Sequence, residues 1–213
     1  MGFDSETAFE SALIKCLVEE KGWKDGVIKY PTEKDLLDNW AKIIFENNRD
    51  IDRLGDFPMT DGEMAQIMGQ IAKLRTPLNL NGFINGGTVQ IIRDNENDTH
   101  NFKKTISLKI FDRNEIAAGR TRYQIAQQPK FKAKNSIYPN RRGDFCLLIN
   151  GMPVIHVELK KSNVPVSEAQ YQIRKYLYEG VFTGLFSLVQ VFVAMNPEEC
   201  TLSLIHISEP TRH

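Results

Sequence analysis

The stretch RRGDFCLLINGMPVIHVELKK, residues 141–161, decides the fold of this chain. Apolar residues alternate on either side of Asn150-Gly151, a dipeptide that favours the tight turn of a hairpin. The spacing predicts two strands, 144–149 and 153–160. Phe145, Leu147 and Ile149 share one face, as do Ile155, Val157 and Leu159, and these faces are expected to pack on helices. Cys146, Leu148, Val154, His156, Glu158 and Lys160 have the opposite parity, together with Asp144. Two carboxylates and one ammonium on a shared face suit a divalent cation and an activated water, the equipment of phosphodiester hydrolysis. Asp144 joins that face only if the hairpin carries an odd residue. With Asn150 and Gly151 alone as the loop, Ile149 pairs with Met152 and Asp144 with Val157, which turns Asp144 away from Glu158. A regular two-residue turn is therefore not expected. A three-residue loop with a G1 bulge, or a bulge within either strand, restores the parity.

Downstream, Ser167-Glu168-Ala169-Gln170 reads as a capping box that opens a helix reaching Glu179. LFSLVQVFVAM, residues 185–195, is a nearly continuous apolar run and reads as one buried strand, joined to the hairpin by a crossover. Upstream, helices are predicted over 5–21, over 33–47 with Leu36, Leu37, Trp40, Ile43 and Ile44 inward, and from the capping box Thr60–Glu63 to Leu74. The period then changes to two. Strands are expected at 88–92, 104–111 and near Tyr123 and Ile125, followed by a basic irregular stretch at 127–140. The fold class is α/β, a mixed central β-sheet flanked by helices. The expected organisation is one domain over residues 1–200. It divides into a helical segment (residues 1–80), a β-rich basic segment (residues 81–140) and a hairpin–helix–strand core (residues 141–196). Residues 201–213 are expected to form a non-native or disordered tail, because TLSLIHISEPTRH completes no element and resembles translated adaptor sequence.

The chain has 213 residues, 41% hydrophobic and 25% charged, as in an ordinary soluble domain. Its formal net charge is zero, which excludes a global field for nucleic acid. Locally the balance differs: residues 103–142 hold eleven Lys or Arg against only Asp112 and Glu115. Lys130, Lys132, Lys134, Arg141 and Arg142, next to the acidic motif, are the candidate DNA contacts. The plain alternative is a solvated basic face. Cys16, Cys146 and Cys200 form neither a disulfide framework nor a metal motif, so a reducing compartment fits. The N-terminus is acidic and amphipathic, unlike a signal peptide, and the longest apolar run, 181–195, is too short to span a bilayer. A cytoplasmic location without membrane attachment is expected.

The D-x13-E-x-K spacing in its hairpin, with the following helix and strand, resembles the PD-(D/E)xK nuclease superfamily, with Gly143 in place of the leading Pro. FESALIKCLVEEKGW at 9–23, RGDFCLLINGMPVIHVELKK at 142–161, and Gln172 and Tyr176 in a Q-x-x-x-Y motif resemble, more closely, the N-terminal nuclease domain of the restriction (R) subunit of type I restriction–modification enzymes. The resemblance runs in order over residues 5–196. It implies a restriction-endonuclease-like core and Mg²⁺-dependent cleavage of double-stranded DNA. Asp144 and Glu158 would be metal ligands and Lys160 the catalytic lysine. Gln172, Tyr176 and Glu10 would be supporting residues; His156, by its own parity with Glu158, reads as a structural or supporting histidine and not a ligand. It implies methyltransferase and specificity subunits as partners. ATP would act only through a motor domain; no G-x-x-x-x-G-K-[ST] phosphate loop occurs in this chain, which looks like the nuclease half alone. The competing readings are a standalone repair nuclease or resolvase of the superfamily, and a non-catalytic DNA-binding or assembly module.

Overall fold

The computed structural model describes residues 2–74, 76–111, 121–132 and 140–204. Lys134 and residues 205–213 of the expected tail lie outside them. The contacts group the chain differently from the linear division expected: one unit joins Met1–Glu33 to Arg122–His213, and Lys34–Thr121 forms another.

The first unit contains α1 (Glu6–Glu20), β1 (Val27–Lys29) and the first residue of α2 (Glu33–Asn47). Within the second unit α2 continues, followed by α3 (Asp61–Ile71), α4 (Pro77–Gly86), β2 (Thr88–Ile92) and β3 (Thr105–Lys109). The chain then returns to the first unit with β4 (Tyr123–Gln127), β5 (Lys130–Phe131), β6 (Arg141–Arg142), β7 (Phe145–Ile149) and β8 (Met152–Leu159). It closes with α5 (Val166–Tyr178), a 3-10 turn (Gly184–Leu188), β9 (Val191–Met195) and β10 (Cys200–Leu204).

In the first unit six strands form a mixed sheet in the order β1-β4-β7-β8-β9-β10. β1 runs parallel to β4 and β8 parallel to β9, and the other neighbours are antiparallel. Ser5 caps α1 by accepting from the Ala8 N–H. One face of that helix brings Phe9 and Ile14 onto Ile125, Phe145, Leu147, Val157 and Leu159. Each such side chain, fully buried, contributes roughly 1.5–3 kcal/mol. On α5, Ala169 and Ile173 pack with Val189, Phe192 and Ala194. Both strand parities are therefore covered, and the face carrying His156 and Glu158 is as buried as the apolar one.

The second unit is built on the β2–β3 hairpin and α3. Thr60 and Glu63 form the capping box read from the sequence, each side chain bonding the other's backbone. Asn48, at the end of α2, donates to the Ile44 and Lys109 carbonyls and accepts from the Lys109 N–H, which ties that helix to β3.

Four expectations are corrected. Asn150-Gly151 is a regular two-residue turn after all, with Ile149 opposite Met152 and positive φ at both loop residues, 50° and 84°. The odd residue sits instead within β8. Leu147 pairs with Ile155 but Leu148 with Pro153, so Val154 is the bulge. Second, Ser167 does not cap α5. The helix starts at Val166 with Pro165 as N-cap and no side-chain cap bond, which puts Ser167 inside the first turn. Third, the run 185–195 is not one strand. Its first half winds into the 3-10 turn, where the Glu33 carboxylate accepts from the Leu185 N–H at 2.7 Å and Gly184 takes φ 58°, so only Val191–Met195 extends. An apolar run reports burial and is blind to which of these conformations buries it. Fourth, Cys200–Leu204 completes an element, pairing antiparallel with β9.

Candidate active site

The bulge at Val154 restores the register that the acidic residues need. Cys146 lies opposite His156 and Phe145 opposite Val157, which sets Asp144, one residue earlier, level with Glu158. Asp144 Oδ2 accepts from the Leu159 N–H at 2.6 Å. Glu158 is 1% exposed and its Oε2 is bonded to His156 Nε2 at 3.1 Å. Lys160 Nζ donates to the Leu159 carbonyl and to Gln172 Oε1, both at 3.0 Å, and lies 3.4 Å from Glu6 Oε1. Gln172 Nε2 donates to the Tyr176 hydroxyl, which donates to the Arg142 carbonyl. The i, i+4 pair on α5 thus ties the lysine to β6. Lys160, Gln172, Tyr176, Tyr171, Lys175 and Arg141 line a cleft of about 420 Å³.

Burial dominates the electrostatics. It pushes Asp144 up to about 7, with the charge of Glu158 adding to the shift while the Leu159 N–H and Lys160 oppose it. Burial likewise pushes Glu158 up to about 8, opposed by Lys160 and helped by Glu6. His156 is pushed down to about 4 by burial, so near neutrality it is an uncharged imidazole and its contact with Glu158 is a hydrogen bond, not an ion pair. Tyr176 is pushed up to about 12, again first by burial. A half-buried and a fully buried carboxylate that resist ionising side by side, each with a single protein hydrogen bond among the described residues, fit a divalent cation with oxygen ligands. The Leu159 carbonyl, between Glu158 and Lys160 in sequence and accepting from Lys160 Nζ, is a third oxygen. Among the described residues no three His, Cys, Asp or Glu side chains converge as a metal cage, so the remaining ligands would be water or substrate oxygens.

Glu10 is buried on α1 and accepts from Gln127 Nε2 at 2.6 Å and Gln128 Nε2 at 3.1 Å, while the Gln128 N–H bonds the Asp144 carbonyl at 2.7 Å. Gln128 has φ 50°, and that break in the strand is what lets consecutive amides reach one carboxylate. Of the basic residues, Lys130 and Arg142 face each other across β5 and β6 and are exposed, as is Lys132. Arg142 lies over the Tyr30 ring. Arg141 is engaged otherwise, forking onto both oxygens of buried Glu179 at 2.7 and 2.6 Å. Of the other basic residues in 103–142, Lys103, Lys104 and Lys109 belong to the second unit. Glu6, Gln127, Gln128 and Glu179 were not among the residues expected from sequence. Nothing in local spacing marks them, since their partners are brought together by the sheet. A groove of about 780 Å³ lies within the second unit, lined by apolar side chains such as Leu37, Phe45, Met64 and Met68 and by Asp38, Glu46 and Asp61.

A hairpin carrying an aspartate and an E-x-K strand, followed by a helix and a parallel strand, is a PD-(D/E)xK restriction-endonuclease-like core in an α/β mixed sheet. The family described as Type I restriction enzyme R protein N terminus matches residues 4–202, and the chain belongs to that family. It is 28% identical over 200 residues to the endonuclease subunit of type I restriction enzyme SsaAORF53P from Staphylococcus saprophyticus, covering 92% of this chain and 19% of that protein. It is also 28% identical over 201 residues to the SauCOLORF180P endonuclease subunit of Staphylococcus aureus, covering 93% and 19%. A 57-residue stretch is 40% identical to the EcoprrI endonuclease subunit of Escherichia coli, covering 26% of this chain and 18% of that protein. The chain thus spans about a fifth of the length of the first two relatives. Among the described residues no helix is long and apolar enough to cross a membrane.

Proposed function

We propose that this chain is the Mg²⁺-dependent endonuclease domain of a type I restriction enzyme R subunit, cleaving phosphodiester bonds of double-stranded DNA in the cytoplasm. The observation that carries the reading is the bulged hairpin that sets Asp144 level with Glu158, with Lys160 two residues beyond Glu158 at the end of β8. Asp144 and Glu158 hold the metal. When bound, Mg²⁺ neutralises phosphoryl oxygens and lowers the pKa of a bound water. Lys160, held by Gln172 and the Leu159 carbonyl, places its ammonium where negative charge develops. Gln172 and Tyr176 keep that lysine on the cleft wall. Glu10, fixed by two amides, supports Asp144. Lys130, Lys132 and Arg142 offer phosphate contacts, with Lys134 alongside in sequence, whereas Arg141 acts through its bond to Glu179. The relatives are named as endonuclease subunits of type I restriction enzymes, which supports assembly with other subunits, here read as methyltransferase and specificity subunits. ATP enters through a motor domain of the longer protein.

The test is cleavage by the assembled complex. Asp144→Ala, Glu158→Ala and Lys160→Ala should each lower it by about 10²-fold or more, with circular dichroism unchanged. Full cleavage by the Glu158→Ala complex would remove the assignment.

A further inference from the structure

The function above uses neither His156 nor Cys146, although both lie directly beneath the site. His156 is fully buried, and its ring is caged by Phe131, Tyr176, Phe182 and Phe192, with centroids 5.1 to 6.2 Å away. Its Nδ1 faces Cys146 Sγ at 3.6 Å and its Nε2 faces Glu158 Oε2 at 3.1 Å. The Cys146 thiol is itself fully buried, and the ring nitrogen it faces is the acceptor for its S–H. A thiol donor at Nδ1 leaves the ring proton on Nε2, where it points at the glutamate. The ring sits hard against the backbone of residue 143. A Cβ built on Gly143 would lie 2.6 Å from His156 Cε1 and 2.8 Å from Phe131 Cε2.

We propose that His156 is a positioning residue for Glu158: its Nε2–H holds one carboxylate oxygen, leaves the other for a divalent cation, and requires glycine at 143 to make room for the ring. The inference rests on the metal-binding reading of Asp144 and Glu158. The chain Cys146–His156–Glu158 sets the rotamer of a ligand, as groups bonded to metal-binding carboxylates do. It also explains why the residue before Asp144 has no side chain: proline or alanine there would meet the imidazole and the Phe131 ring.

The experiment is Mg²⁺ titration calorimetry on the full chain, with melting measured without metal. His156→Leu should bind Mg²⁺ roughly 10- to 100-fold more weakly. His156→Gln, which carries an N–H close to the Nε2 position, should recover most of that loss, and His156→Asn, whose amide stops short, should not. Gly143→Ala should weaken binding in the wild-type background and have little further effect on metal affinity in the His156→Leu chain. Should His156→Leu fail to fold, the Gln and Asn variants decide by themselves. Equal affinity in the Gln and Asn variants, or wild-type affinity in His156→Leu, would overturn the inference. A wild-type chain with no saturable Mg²⁺ binding, or with binding that Asp144→Ala leaves intact, would overturn the metal-binding reading itself and this inference with it.

Discussion

Each unit buries a cluster of charges, and the two clusters are treated in opposite ways. In the second unit Arg93 and Glu63 are 0% exposed and Asp98 is 2%. Every one of their polar atoms is occupied. Arg93 donates to both oxygens of Glu63, to Asp98, and to the Phe57 and Pro58 carbonyls. Glu63 also accepts from the Thr60 and Asp94 N–H groups. Burial pulls Asp98 upward, yet bonds from Arg93 and Asn101 hold it below the usual carboxylate range. In the first unit Asp144 and Glu158 are pushed up to about 7 and about 8. A saturated network locks a fold. An unsaturated pair of carboxylates, costly to ionise alone, is poised to take a cation.

That contrast can be broken from either side. Arg93→Met leaves two acids buried without their partner, for which a loss of about 3–5 kcal/mol in stability is typical. Chemical denaturation should show it. Glu158→Gln should do the reverse in the absence of metal, raising stability at pH 8 by on the order of 1–2 kcal/mol, since it removes a charge the fold disfavours. Loss of stability in that variant would mean the glutamate is structural, like Glu63.

The pH dependence follows with its sign. The folded-state values of Asp144 and Glu158 lie above their ordinary 3.8 and 4.5, so their contribution is present at low pH and is lost as pH rises through about 7 and about 8. His156 lies below its ordinary 6.5, so its contribution is present above 6.5 and is lost as pH falls towards about 4. The two oppose each other in acid. From pH 6.5 to 8 only the carboxylates act, and the metal-free melting temperature should fall across that window; in Glu158→Gln the fall should shrink. The smallest effect expected is Thr60→Ala, which removes the α3 cap at a loss of about 1 kcal/mol and should leave Mg²⁺ affinity unchanged.

Much of this was legible in the sequence where period and chemistry agree. The first three helices announce themselves through apolar spacing, and Thr60–Glu63 through the capping box. The parity of Glu158 and Lys160 needs only the strand period. The parity of Asp144 requires an extra residue somewhere in the hairpin, but Val154 as its place does not follow from composition, because a bulge is chosen by packing on both faces. Val27–Lys29 is too short to carry a pattern. Residues 184–188 are apolar under either conformation. The groups that hold the site lie far along the chain from what they hold: Glu6 from Lys160, Gln127 and Gln128 from Glu10, Glu179 from Arg141. Their pairing is a product of the sheet and leaves no mark in any window of sequence.

The central claim, that the raised carboxylates of the first unit are an open cation site, is tested most directly by melting the wild-type and Glu158→Gln chains at pH 8 with and without Mg²⁺. Mg²⁺ should raise the wild-type melting temperature and leave Glu158→Gln unmoved, while metal-free Glu158→Gln melts above the metal-free wild type. A wild type indifferent to Mg²⁺, or a Glu158→Gln chain that responds as the wild type does, would contradict it.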